Sequence, residues 1–247
     1  MSLPEPRTSP YRESVRAGTR AVLFDAGHTL LEMDYTEVQS FFLSRGHRFD
    51  DAALVAAERR ARIRLEEERA RQATPGRTGE GRYARYILDH LAITDAGERS
   101  AFTEWRRSFN APIGLCRRAD AGATQALRKA REAGCVVGVI SNSNGSVQRA
   151  LGIAGLAPFL DFVIDSSVVG MAKPDPRIFA LGLAAARTTA ADTLYVGDSY
   201  FVDVVGTRRA GLAAVLFDPG SLWGRRDCFI ATSLEAAVGH AVERSEF

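Results

Sequence analysis

Lysine is nearly missing from this 247-residue chain: of its 32 basic side chains only Lys129 and Lys173 are lysines. A role that needs a compact ammonium therefore has few candidates, while the planar guanidinium fork of arginine is plentiful. Cysteine is scarce too. Cys116, Cys135 and Cys228 are odd in number and far apart, which fits neither a disulfide framework nor a zinc site. Cys135 opens an apolar run and is expected to pack as a small hydrophobe. No stretch approaches the ~18 consecutive apolar residues of a membrane span. The polar opening MSLPEPRTSPYRESVRAG has no apolar stretch of the kind a secretory signal carries. The expectation is a cytoplasmic protein that meets no membrane. An excess of one charge is lacking as well. With 32 basic and 30 acidic residues the net charge is +2, so bulk electrostatics gives no reason to expect nucleic acid as a partner. Oligomeric state leaves no mark in the sequence.

What is present is ordinary for a globular chain: 46% apolar and 25% charged residues. Residues 1–18 read as a flexible tail. Ala21-Val22-Leu23-Phe24 then forms an apolar run too short for a helix, suited to a strand buried on both faces. From about Thr36 to Asn110 the segments DDAALVAAERRARIRLEEERARQ, RYARYILDHLAI and AFTEWRRSFN read as helices, with no convincing strand among them. From Ala119 onward strands and helices alternate. Strands are expected at Cys135–Ile140, Phe162–Ile164, Thr193–Val196 and Ala213–Phe217, with helices between them and a last one at about Ser233–Val242. That alternation implies crossover units and a parallel sheet covered on both sides. The fold class is therefore α/β: a doubly wound, Rossmann-like parallel sheet with an inserted α-helical cap. The core is assigned to residues 19–30 and 116–247, the cap to 31–115, with cap motion around 31–35 and 110–117.

In such a sheet ligands bind at the carboxyl ends of the strands. Asp25 follows the first strand, Ser141-Asn142 the second, a loop with Lys173-Pro174 lies past the third, and Gly197-Asp198-Ser199 follows the fourth, with Asp203 five residues on. Singly, each has a plain explanation as a helix cap or a turn. Together, and in this order, they would bring carboxylates, a hydroxyl, an amide and a scarce ammonium into one crevice.

The segments Asp25-Ala26-Gly27-His28-Thr29-Leu30, Ser141-Asn142-Ser143, Lys173-Pro174 and Gly197-Asp198-Ser199-Tyr200-Phe201-Val202-Asp203 resemble the four ordered motifs of the haloacid dehalogenase-like hydrolases. Gly206-Thr207-Arg208-Arg209-Ala210-Gly211 is similar to the tail of the fourth. The position of the inserted helices is similar to the helical-cap branch. The resemblance implies a nucleophilic Asp25 that forms an aspartyl-phosphate. It implies Mg2+ held by Asp25, Asp198, the backbone carbonyl of Gly27 and, through water or by orienting Lys173, Asp203. It further implies phosphate or substrate contacts from Ser141, Asn142, Thr29 and Lys173, the last neutralising charge.

One position departs from the family pattern. The second aspartate, which protonates the leaving group and activates water, is replaced by Gly27, and His28 follows. Four readings result. The first is a magnesium-dependent hydrolase of small phosphorylated or other anionic substrates with weakened acid–base catalysis, in which His28 is a candidate substitute acid. The second is a metal-independent 2-haloacid dehalogenase, against which Asp198 in its Gly-Asp-Ser setting argues. The third, a phosphonoacetaldehyde-type enzyme, needs a cap lysine, and residues 31–115 contain none. The fourth is a non-catalytic binding or regulatory protein. Arg82, Arg85, Arg106 and Arg107 are candidates for recognising an anionic substrate, with a solvated helix face as the alternative. Trp105 and Phe109, one turn apart, either line the cleft or join cap to core.

Overall fold

Strands and helices alternate along most of the chain, and the computed structural model shows how they assemble over residues 18–71, 79–109 and 113–242. The expected tail, apart from Gly18, lies outside the described residues. The strands are β1 (Ala21–Phe24), β2 (Leu31–Met33), β3 (Cys116–Ala119), β4 (Val136–Ser141), β5 (Phe162–Asp165), β6 (Thr193–Gly197), β7 (Ala213–Phe217) and β8 (Phe229–Ala231). Six of them form one parallel sheet in the order β5-β4-β1-β6-β7-β8. β1 lies in its interior, and all four of its residues are fully buried. A strand covered on both faces cannot alternate polar and apolar residues, which is why Ala-Val-Leu-Phe reads as an unbroken apolar run.

The helices covering this sheet are α5 (Ala123–Glu132), α6 (Val147–Ile153), α7 (Ser166–Val169), α8 (Pro176–Ala186), α9 (Val205–Arg209) and α10 (Leu234–Val242), and the four ahead of them in the chain form the insert. One face is packed by Ala126, Leu127, Leu151, Ala237 and Val238 against Val22, Phe24, Val137 and Val139. The other is packed by Ile178, Phe179 and Leu212 against Leu23, Ile140 and Tyr195. Cys135 is buried in the first cluster, and its thiol donates to the carbonyl of Thr19 at 3.3 Å. Strand order reverses at β1, where the chain crosses to β4 on one side and β6 on the other. That reversal opens a crevice at the carboxyl ends.

The inserted helices are α1 (Tyr35–Ser44), α2 (Asp51–Arg71), α3 (Gly79–His90) and α4 (Ala96–Phe109), and they pack around an apolar cluster of their own, including Phe42, Leu54, Ala61, Tyr86, Leu88 and Phe102. Trp105 and Phe109 belong to this cluster: Trp105 stacks on Phe102 at 5.8 Å and meets Phe109 at 5.3 Å. They pack within the insert and are not among the residues lining the cleft. The insert joins the sheet through a feature the sequence did not suggest. β2 and β3 pair antiparallel into a two-stranded ribbon at the two crossing points. Helix α1 and the edge strand β8 were also not anticipated. The first is rich in aromatic and β-branched residues, and the second has only three residues, so neither carries a clear period. Among the described residues no helix is long and apolar enough to cross a membrane.

Candidate active site

Lys173 is the centre of the arrangement. Its ammonium donates to Asp25 Oδ1 at 2.7 Å, to Asp203 Oδ1 at 2.7 Å and to the Tyr195 hydroxyl at 2.8 Å. Residues 25, 173 and 203 come from three separate parts of the chain. Asp25 directly follows β1, and its N–H donates to the carbonyl of Val196 on the neighbouring strand β6 at 2.9 Å. The backbone of Lys173 is gripped by one side chain. Asn142 Oδ1 accepts from its N–H at 2.8 Å, and Asn142 Nδ2 donates to its carbonyl at 2.9 Å. Burial alone would lower the pKa of the Lys173 ammonium. The carboxylates of Asp203 and Asp25 outweigh that and push it up, so the group stays charged. Burial acts in the opposite sense on Asp203, raising its pKa against the pull of Lys173.

Asp198 and Asp203 sit at the end of β6. Gly197 is required between strand and turn, because a Cβ there would collide with the Asp203 carboxylate. Ser199 accepts from the N–H of Val202 at 3.0 Å, and Asp203 Oδ2 accepts from the N–H of Ser199 at 3.1 Å, so the turn is tied from both ends. Asp25, Asp198 and Asp203 are all buried, and one carboxylate oxygen from each lies within 4.8 Å of the others. Three carboxylates face the Lys173 ammonium from the core and the Arg62 guanidinium from the insert, which leaves one negative charge in excess. Buried hard-oxygen donors with that excess charge fit a divalent cation of the magnesium type.

The helical insert supplies the opposite wall. Glu58, Arg62 and Glu66 follow one another at four-residue spacing on α2 and so share a face. The Arg62 guanidinium reaches Asp198 Oδ2 and also donates to Glu58 Oε1 at 3.2 Å. Glu58 Oε1 accepts from Tyr83 at 2.6 Å and lies 3.5 Å from His28 Nε2. Burial pushes Glu58 up, but His28, Arg62 and the Tyr83 hydrogen bond overcome it, leaving the carboxyl at about 2. Burial lowers His28 to about 4, with the Glu58 charge offsetting it only in part, so the imidazole is neutral at pH 7. His28 also holds φ at 60°, in the left-handed region that non-glycine residues enter at a cost. Glu66 is pushed up to about 7 by burial. Ser199 and Phe201 hydrogen-bond to it, while its Oε2 is buried without a partner.

These walls enclose a cleft of about 440 Å³ that includes Asp25, Gly27, His28, Ser141, Asn142, Lys173, Asp198 and Asp203. Nearly every site residue read from the sequence therefore lines one space. Thr29 differs. It was expected on the substrate side, but it is fully buried and its hydroxyl donates to Asp198 Oδ1 at 3.3 Å, behind the carboxylate. Asn142 lines the cleft, yet its side chain is spent on Lys173 and leaves only its backbone for an anion. His28 lines the cleft as a neutral group, without the imidazolium proton of a general acid.

Tyr195, Arg62, Glu58 and Glu66 were not read from the sequence. A tyrosine in the otherwise apolar strand β6 was the available signal for Tyr195, since a buried hydroxyl needs partners. It finds Lys173, Asp203 at 3.3 Å and the Ile140 carbonyl at 3.0 Å. The Glu58–Arg62–Glu66 row had the spacing of a solvated ion-pair face, and only the packing of the insert turned it inward.

The fold and site together define a doubly wound α/β protein whose acidic groups and lysine meet at the carboxyl side of parallel strands. Residues 19–211 match the haloacid dehalogenase-like hydrolase family, and the chain belongs to it. It is 39% identical over 95 residues to the human haloacid dehalogenase-like hydrolase domain-containing protein 3, covering 38% of each chain. It is 38% identical over 95 residues to the phosphoserine phosphatase of Thermus thermophilus, again covering 38% of each. The chain thus spans well under half the length of these curated relatives. Among solved structures, the HAD-hydrolase YfnB from Bacillus subtilis, bound to magnesium, superposes with a TM-score of 0.63 at 18% identity, over 92% of this chain and 99% of that one.

Proposed function

We propose that the chain is a magnesium-dependent hydrolase of small phosphate esters that works through an aspartyl-phosphate on Asp25. The observation that carries this reading is the buried contact of Lys173 with both Asp25 and Asp203, beside Asp198. A lysine held charged next to Asp25 stabilises negative charge on a phosphoryl group in transfer. Asp25, Asp198, Asp203 and the Gly27 carbonyl would hold the magnesium ion. The ion supplies charge neutralisation and orientation of the phosphate. Ser141, at the end of β4, and the Asn142 backbone would take phosphate oxygens. We read residues 31–115 as the cap that excludes water, moving about the β2–β3 ribbon. The relatives named as phosphatases support the reaction class.

Gly27 offers no proton to a leaving group, so substrates with good leaving groups should be favoured. The test is hydrolysis of p-nitrophenyl phosphate and acetyl phosphate with magnesium. Turnover is expected, silenced by chelator and by Asp25→Asn. Absence of metal-dependent turnover across a broad phosphate panel would reject the reading.

One observation favours a second reading. The Arg62 guanidinium already meets Asp198, supplying a positive charge from the protein itself. Together with the missing second aspartate, that suits a metal-independent 2-haloacid dehalogenase, because a halide leaves without a proton. Turnover of 2-chloropropionate in chelator would establish it.

A further inference from the structure

The four cap arginines singled out in the sequence do not share one fate. Arg107 pairs with Glu104 on its own helix. Arg85 lies over the Tyr86 ring at 5.2 Å and donates to its hydroxyl at 3.4 Å, on a side of the insert away from the cleft. Arg82 lies 3.9 Å from Glu68. Arg106 alone of the four lines the catalytic cleft. Its guanidinium stacks over the Tyr83 ring at 4.4 Å. Its Nε is buried without a hydrogen-bond acceptor, and among the described residues it has no ion-pair partner. The carboxylate of Glu58, which shares that wall, gives its Oε1 to Tyr83 and Arg62, and its Oε2, buried without a hydrogen-bond partner, does not pair with Arg106. The positive charge of Arg106 is felt by His28, Tyr83 and Cys116, three groups around the cleft.

A guanidinium next to buried surface without an anion is costly to keep unless something completes it. The stacking on Tyr83, whose hydroxyl is anchored on Glu58, holds Arg106 in place before a ligand arrives. The opposite wall, with Ser141 and Lys173, is suited to the phosphoryl group that is transferred. The cleft, at about 440 Å³, has room for a metabolite-sized molecule between the two walls.

We infer that Arg106 is a subsite for a second anionic group, so that the substrates are phosphate esters carrying a carboxylate or a further phosphate on the end away from the reacting ester. This rests on the phosphatase reading and adds the substrate class to it. The planar fork of arginine suits either anion through paired hydrogen bonds, and the substrates below separate the two sources.

The test compares 3-phosphoglycerate and propane-1,3-diol bisphosphate with the neutral-tailed glycerol 3-phosphate, with p-nitrophenyl phosphate as reference. The wild type should prefer one or both anion-tailed esters over glycerol 3-phosphate in kcat/KM. Arg106→Gln should raise KM for the preferred esters about tenfold or more, the scale of a lost charge-assisted contact, and leave glycerol 3-phosphate and p-nitrophenyl phosphate within about twofold. Arg106→Lys, which keeps the charge, should recover part of the loss. Calorimetric binding of the same non-chromogenic esters to Asp25→Asn, with and without Arg106→Gln, reads the subsite independently of turnover. No hydrolysis of any ester but a retained Arg106-dependent preference in binding would sink the phosphatase reading and keep the subsite. Equal effects of Arg106→Gln on neutral and anion-tailed esters, or no preference in the wild type, would overturn the subsite.

Discussion

The core and the helical insert both bring charged side chains to one cleft, but they hold them differently. In the core the functional groups stand on the carboxyl ends of the parallel strands or on the segments that follow them, and their partners are other functional groups: Lys173 on Asp25, Asp203 and Tyr195, and Thr29 on Asp198. In the insert the charges ride on helix faces whose apolar neighbours, Leu54, Ala57, Ala61 and Leu65, make the packing. Position in the core is fixed by sheet register. Position in the insert depends on how the helices dock, so the core groups stand on the more rigid side of the cleft and the insert groups on the side that is freer to change.

The largest effect expected from breaking this contrast lies in the core. Replacing Lys173 by Met leaves Asp25 and Asp203 facing each other without a cation. Removal of one partner from such a buried set costs about 3–5 kcal/mol. Urea unfolding should show that loss, and phosphatase turnover should vanish with it. A variant as stable as the wild type would mean that the three groups are solvated in solution, and the core would lose its special rank.

Gly27→Asp sharpens the comparison by giving the core the proton donor that it lacks. A Cβ at Gly27 meets no atom within 4 Å, so the backbone there accepts a side chain. Turnover of alkyl phosphates should rise by about 10²-fold, the lower range for general acid–base help. If the variant folds, binds magnesium and gains nothing, proton transfer is already supplied from elsewhere, and the insert is the place to look.

Glu66 tests the insert itself and carries the smallest effect. Its carboxyl is raised from an ordinary 4.5 to about 7 by burial. The folded protein therefore holds a proton that the unfolded chain has released. The resulting stability is fully present below pH 4.5 and is lost as pH rises through about 7. Glu66→Gln, which cannot ionise, should flatten that decline by on the order of 2 kcal/mol between pH 5 and pH 8, read from urea unfolding at the two values. Identical pH profiles for wild type and variant would place Glu66 in water and the insert further from the core.

Much of the core was readable because its signals are local. A short apolar run ending in Asp25 and a Gly-Asp-Ser turn each mark a strand end, one lysine beside a proline marks the loop past another, and parallel strands place these segments on one side. The insert was readable only as helices. The spacing in α2 marked it as a helix without fixing which side is apolar, and the row Glu58, Arg62, Glu66 has the spacing of an exposed ladder of ion pairs. The fates of Arg82, Arg85, Arg106 and Arg107 could not be told apart for the same reason. Thr29 was misplaced because hydroxyls that bind a ligand and hydroxyls that steady a carboxylate look alike in a motif. β8 and the β2–β3 ribbon escaped because three or four residues are too few to show a period.

The sequence by itself determined where β1, β4, β5, β6 and β7 lie along the chain, the polar residues that follow them and the absence of a carboxylate at Gly27, since these follow from short-range patterns and residue identity. Tertiary structure alone decided that Arg62 meets Asp198, that desolvation favours the neutral form of His28, and that Arg106 faces the cleft without an ion-pair partner among the described residues. Those outcomes depend on desolvation and on the docking of one helical layer against a sheet, which are sums over contacts between residues far apart in the chain.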